Sequence, residues 1–351
     1  MLKMLGSAEP KYLAATDILV GDMSNVNYEF LLYDRPIILL ANSWVKNNFP
    51  DIGIKTDLTN LSKAVSRSLS FPDEYQQQRQ MWLKRTIERP PGGPSKAIID
   101  IILERAGIVD PIFVFMHGNN SVRKTNIRPL IEEVSNRKIA FATIGKKKQL
   151  MGVVKKSDPS SILVAAHFED LWPDVPGYKV HIDHDLKGLA TANLEYAFWD
   201  YARHHHFPHI NLHITAGIAG DRRTKLVLGP FEDRTCIGGY PKADHFLQCN
   251  NLVNKRDVYQ ELGFSIDKPL VTYAPAGEKS FMKPGGSLSK ETLQHFTALA
   301  GNEDFHVLLK FKYKQSLIFQ AKQVAKKAYP FRRVINDFGR KWAIIRASFD
   351  E

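Results

Sequence analysis

Apolar runs of a few residues, each closed by a turn and followed by a helix-prone stretch, recur along this chain. That alternation limits it to an α/β fold built on parallel strands. The first such unit is ATDILVGDMSNVNYEFLLYDRPIILL, residues 15–40, which reads strand, short loop, helix, strand. Parallel strands must pair with other parallel strands, yet very little chain precedes this unit. The pattern by itself leaves open where its partners lie.

DPIFVFMHGNNSVRKTNIRPLIEEVSNRKIAFATIG (110–145) reads strand, glycine loop, helix, strand, the opening of a second Rossmann-like sheet. SILVAAHF (161–168), YKVHIDHD (178–185) and INLHITAG (210–217) are further strand candidates. TKLVLGPFED (224–233), KPLVTYAPAG (268–277) and FHVLLKFKY (305–313) complete the set. Residues 57–85 are polar and helix-prone, and ANLEYAFWDYARHH (192–205) has helical spacing. PPGGPSKAIIDIILERAG (90–107) is a proline-glycine break, an apolar helix with Ser95 as its expected N-cap, and a glycine stop. The glycine stop at the end of this helix marks a domain boundary. The length of 351 residues suits two domains.

The hydrophobic share of 44% and charged share of 24% describe a folded globular chain. No apolar run is long enough for a membrane span, and the N-terminus lacks the apolar block of a signal peptide. Cys236 and Cys249 are the sole cysteines, which points to a reducing compartment and a cytoplasmic protein. The net charge of +11 is clustered, as in GKKKQ (145–149), KFKYK (310–314), FRR (331–333) and GRK (339–341). Solvated helix faces account for most such lysines; the functional reading is attraction to nucleic acid, an anionic membrane surface or a phosphate-rich substrate, among which charge alone does not choose. KQSLIFQAKQVAKKA, after Tyr313, reads as a basic amphipathic helix that could rest on such a surface, with a core-facing helix as the plainer reading. The sequence carries no recognised nucleic-acid-binding module.

Ser24 and Asn25 sit between the first strand and its helix, where backbone amides, a hydroxyl and a carboxamide can receive an anion. Glu29, one turn on, can face the same crevice and accept from ligand hydroxyls. The bland alternative is an N-cap serine and a solvated glutamate. VHIDHD (His181, Asp183, Asp185) and HHHFPH (204–209) invite a metal reading, but neither has a recognised ligand spacing, so no metal is expected.

TDILVGDMSNVNYEFLLYDRPIILL resembles the donor-site segment of the CDP-glycerol glycerophosphotransferases, the teichoic-acid-polymerase-like family of the GT-B class. Asp22, Ser24, Glu29, Phe30 and Pro36-Ile37-Ile38 match that pattern; Met23 and Asn25 depart from it. LVLGPFEDRTCIGGYPKADHFL (226–247) is similar to the family's linker strand and Gly-Tyr-Pro segment. LGFSIDKPLVTYAPAGEKS (262–280) resembles its Tyr-Ala-Pro-Thr loop, and FHVLLKFKYK its Leu-Leu-Lys-Leu-His-Pro strand.

The resemblance implies two Rossmann-like domains of GT-B type with a cleft between them. It also implies an unusual order: the last three segments precede the first one in the family and follow it here. The chain resembles a circular permutation in which 1–108 and 236–351 form the donor-binding domain and 109–235 the acceptor-side domain. A slice of a tandem enzyme, or an assembly artefact, would give the same order.

The implied reaction is transfer of glycerol phosphate from CDP-glycerol to a hydroxyl of a cell-envelope polymer or glycan. It needs no metal or other cofactor, and the acceptor is lipid-linked or polymeric, at the inner face of the membrane. Asp22, Ser24, Asn25, Glu29, Lys310 and Lys312 would hold the nucleotide-activated donor. The family's His-Gly position reads Ala216-Gly217 here, with His213 three residues upstream; its second histidine reads Lys312, and its loop threonine Ala276. His213 is the first candidate base. His117, in FMHGNNSVRK beside Arg123 and Lys124, is the second. The alternatives are a GT-B nucleotide-sugar transferase, a UDP-sugar epimerase-like enzyme, or a catalytically degenerate nucleotide-binding homologue.

Overall fold

In the computed structural model the described residues are 2–5, 10–22, 24–41, 43–117, 121–146, 149, 152, 160–184, 186, 205–275, 290–302 and 304–310. The helix read at 192–205 falls almost wholly outside them. So do the basic helix after Tyr313 and residues Lys312, Asp185, His204 and Ala276.

The strands are β1 (Leu2–Leu5), β2 (Ile18–Gly21), β3 (Ile37–Leu40), β4 (Ile54–Thr56), β5 (Ile112–Met116) and β6 (Phe141–Ile144). They continue with β7 (Ser161–Ala165), β8 (Tyr178–Ile182), β9 (Leu212–Thr215), β10 (Thr235–Ile237), β11 (Leu270–Ala274) and β12 (His306–Lys310). They form two six-stranded sheets, ordered β1-β12-β11-β2-β3-β4 and β10-β9-β8-β7-β5-β6. Every pairing is parallel. The architecture is α/β with two parallel sheets and many helices, compatible with a two-domain Rossmann-like fold.

The partners missing from the opening unit are thereby supplied. β2 pairs with β11 in the register Val271↔Ile18 to Ala274↔Gly21, and β12 lies between β11 and β1. Side chains reinforce the junction. Asp17 accepts from Lys255 Nζ, Tyr259 Oη and the Leu270 amide at 2.6, 3.0 and 2.8 Å, and the Thr16 and Thr272 hydroxyls meet at 2.6 Å.

β2, β7, β11 and β12 are buried along their whole length, as strands covered on both faces must be. On the first sheet Leu19, Ile37, Leu39 and Ala274 face one core, while Ile18, Val20, Ile38, Val271 and Val307 face the other.

The helix Pro94–Ala106 begins with Gly93 at φ 96° as N-cap, so Ser95 is inside the first turn rather than at the cap. Its amide donates to Asp244 at 2.8 Å. Ile98, Ile99 and Ile102 of this helix pack on the second sheet. The stretch 224–233, expected as a strand, is the end of a helix, Ile218–Leu228, followed by 3-10 turns. That helix starts directly after Gly217 and buries Arg223 and Thr224, so Leu226–Leu228 complete its last turn.

Candidate functional site

β2 ends at Gly21, where a side chain would collide with the Asn27 carboxamide. Asn27 in turn donates from Nδ2 to the Asp22 carbonyl at 2.5 Å, closing the loop over the strand end. The following helix is short, Val26–Phe30, and continues as a 3-10 turn through Tyr33. Its first amides are turned onto the chain itself. Asn27 N–H donates to the Ser24 carbonyl at 3.2 Å, while Tyr28 and Glu29 donate to the Asn25 carbonyl at 3.0 and 3.1 Å. The Ser24 hydroxyl accepts from Val26 N–H at 3.4 Å. Asn25 makes no side-chain cap; its Nδ2 donates to the His184 carbonyl, two residues beyond the end of β8, at 3.3 Å. These amides are occupied, so positive charge near the strand end has to come from side chains.

It does, around Glu29. Glu29 is 7% exposed. Its Oε1 accepts from Tyr240 Oη at 2.6 Å and from Lys242 Nζ. Lys310, the last residue of β12, acts on the same carboxylate by its charge. Burial pushes the Glu29 pKa upward, but Lys242, Lys310 and the Tyr240 hydroxyl together outweigh it and hold the carboxyl below its ordinary value. Lys310 is 6% exposed, and burial lowers its pKa to about 8 despite the attraction of Glu29. Burial also raises the pKa of the Tyr33 hydroxyl nearby. The surroundings are dry, and charges there interact strongly.

Three distant stretches meet at this carboxylate: 22–30, 239–242 and 306–310. A fourth, the end of β11, contributes Ala274 to the same core as Tyr240 and Ala243. Lys242 also lies over the Tyr240 and Phe246 rings at 5.5 and 5.6 Å, which fixes its ammonium on the Glu29 side. Tyr240→Phe is expected to cost about 1.5–3 kcal/mol, the range for a hydrogen bond to a charged group. Urea unfolding would show it as a lower midpoint with an unchanged slope.

His213 lies elsewhere. It is 0% exposed, and its Nδ1 meets His181 Nδ1 at 2.8 Å while its Nε2 meets the Thr224 hydroxyl at 3.2 Å. The two imidazoles are in register on β8 and β9 and lie parallel, 4.9 Å apart, with Phe168 stacked 3.7 Å from His181. Burial, then the Arg223 charge, lower the His213 pKa to about 3. His181 is held well below its ordinary value by burial and by His213, His184, His167 and Arg223. Arg223 is paired with Asp183, both buried. His213 is therefore part of a packed polar core and is not brought to Glu29.

Ala216, at the position where the resemblance places a histidine, is buried in the core that also holds Ile87 and Tyr240. Its carbonyl accepts from Glu88 N–H at 2.8 Å. The adjoining Gly217 has the Thr86 backbone against it, leaving no room for a side chain. His117 follows β5; its amide donates to the Ile144 carbonyl at 3.2 Å, and its Nδ1 is buried without a partner among the described residues. The structure brings Glu29 and Lys310 together and leaves His213 apart. Among the described residues no group of three or more His, Cys, Asp or Glu could hold a metal ion.

Tyr240 and Lys242, within GGYPKADHF, carry no local sign in the sequence that they meet Glu29. Compared with protein-family models, with curated proteins and with solved structures, the chain matches none of them.

Proposed function

We propose that this chain binds a nucleotide-activated donor at the carboxyl ends of β2, β11 and β12, and that it is a CDP-glycerol-dependent glycerophosphotransferase-like protein. The observation that supports the reading is the meeting at Glu29 of three stretches distant in the sequence: Asp22–Phe30, Tyr240–Lys242 and Lys310. Ligands of open parallel sheets bind at strand carboxyl ends.

Strand order adds support. Taken in the order β11, β12, β1, β2, β3, β4, the first sheet runs 3-2-1-4-5-6, the arrangement of a dinucleotide-binding sheet. That is the order expected of a circularly permuted GT-B-like donor domain.

In this reading an acceptor hydroxyl attacks the β-phosphorus of CDP-glycerol and CMP leaves. Lys310 and Lys242 supply charge to the phosphates, and Glu29 Oε2 accepts from a ribose or glycerol hydroxyl. The acceptor is a cell-envelope polymer or lipid-linked glycan. No described helix is long and apolar enough to cross a membrane. In this reading the protein works at the cytoplasmic face of the membrane.

A second reading, a nucleotide-binding homologue without turnover, is favoured by the close packing of Ala216 where a base would stand. Incubation with CDP-glycerol and a lipid-linked acceptor separates the two. CMP release that falls at least tenfold in Glu29→Ala supports the transferase, and donor-induced thermal stabilisation without CMP supports the homologue. Stabilisation by UDP-sugars in place of CDP-glycerol would point instead to a sugar transferase or epimerase.

A further inference from the structure

Away from Glu29, the surface carries a face on which bare apolar side chains alternate with cations. It lies on two helices, Gln76–Thr86 and Ile218–Leu228. The end of the first is fixed to the start of the second. Glu88 N–H donates to the Ala216 carbonyl at 2.8 Å, and a side chain at Gly217 would collide with the Arg85 and Thr86 carbonyls. The first helix buries Arg79 and Thr86 and packs Trp82 and Leu83 on the core. Its opposite side presents Met81, Lys84 and Arg85 at helical spacing, and exposed Arg89 follows. The second helix buries Arg223 and Thr224 and presents Ile218, Arg222, Lys225 and Leu226. Met81 is 44% exposed, Ile218 40% and Leu226 72%, so none of them serves the core. Across 77–89 and 218–229 five exposed cations stand against two carboxylates, Glu88 and Asp221. Lys225 already takes Asp221 at 3.1 Å. Glu232 and Asp233 lie in the turn beyond the second helix, so the positive excess is greatest around its start.

We propose that this two-helix face docks the protein on an anionic phospholipid bilayer. Met81 and Ile218 enter the headgroup region, and Lys84, Arg89 and Arg222 meet the lipid phosphates. Charge and shape together select this partner. Anionic headgroups attract the cations, and a fluid interface accepts apolar tips that stand singly. A folded acidic protein would need a separate pocket for each tip. The inference rests on the proposed function only for the leaflet, the cytoplasmic one; the contact itself stands whatever the chain transfers.

Co-sedimentation of the full chain with vesicles tests it. The vesicles are phosphatidylcholine alone, or phosphatidylcholine with about one-third phosphatidylglycerol. The expected result is binding to the anionic vesicles that weakens with added salt, and little binding to phosphatidylcholine alone. Lys84→Gln, Arg89→Gln and Arg222→Gln together should weaken it about a hundredfold, about fivefold for each charge. Met81→Ser with Ile218→Ser should weaken it about tenfold through lost apolar burial. All five side chains are exposed, and circular dichroism checks that the variants fold. Undiminished binding in both sets would place the contact on another basic stretch and overturn the assignment. Loss in the charge set alone would make the face a polyanion site without insertion, which also overturns it. No binding of the wild type to anionic vesicles would overturn it outright. Vesicle binding without CMP release from CDP-glycerol would keep the docking face and overturn only the transferase, and CMP release without vesicle binding would do the reverse.

Discussion

Arg223→Met is expected to destabilise the fold by about 3–5 kcal/mol, the range for removing one partner of a buried ion pair. Arg223 lies in the second turn of the helix Ile218–Leu228 and is paired with Asp183, just beyond β8. Both side chains are buried, so the methionine would leave a carboxylate facing a dry interior. Chemical unfolding monitored by tryptophan fluorescence reads the loss directly. Arg223→Met combined with Asp183→Leu should recover much of it, because removing both charges also removes the desolvation cost. Equal destabilisation in single and double variants would mean that packing, not charge, is lost.

Acid should unfold the second sheet through the neighbouring histidines. His213 has a pKa of about 3 in the fold, against about 6.5 unfolded, because burial and Arg223 oppose its charging. Below pH 6.5 the unfolded chain binds a proton that the native site refuses, so stability falls as pH falls and continues to fall to about pH 3. From pH 6.5 to 4 this single group contributes a loss of roughly 3 kcal/mol, and His181 adds to it in the same direction. Urea midpoints measured across pH 4–8 should slope down on the acid side, and His213→Gln should flatten that limb. Arg223→Met should flatten it too, since part of the pressure on both imidazoles comes from the guanidinium.

The sequence was most legible where local pattern alone decides. β7, β8, β9, β11 and β12 are apolar runs closed by turns, and each forms where its pattern lies. β4 and β10 are three residues long and carry too little periodicity to read, and β1 breaks its short apolar run with Lys3. The stretch 224–233 misled because Leu226–Leu228 read as a strand when the helix start at Gly217 is overlooked.

The site divides in the same way. Glu29 follows from the strand–loop–helix pattern, one turn past the strand end, whereas Lys310 enters only through the resemblance of FHVLLKFKYK. The meeting of Tyr240 and Lys242 with Glu29 follows from neither, because what selects it is the path of the chain from β10 across to the first sheet, which no local pattern records. The His181–His213 contact depends on the register of β8 with β9, which is likewise non-local. The amides of 26–29 show the opposite failure: local pattern suggested an open anion cradle, and turn geometry fills it.

Affinity for CDP-glycerol, measured at pH 7 on the wild type, Glu29→Gln and Lys310→Met, goes to the centre of the account. If the carboxylate and the buried ammonium form one donor site, the wild type binds and each variant, still folded by circular dichroism, binds at least tenfold more weakly. Folded variants that bind CDP-glycerol as tightly as the wild type would contradict it.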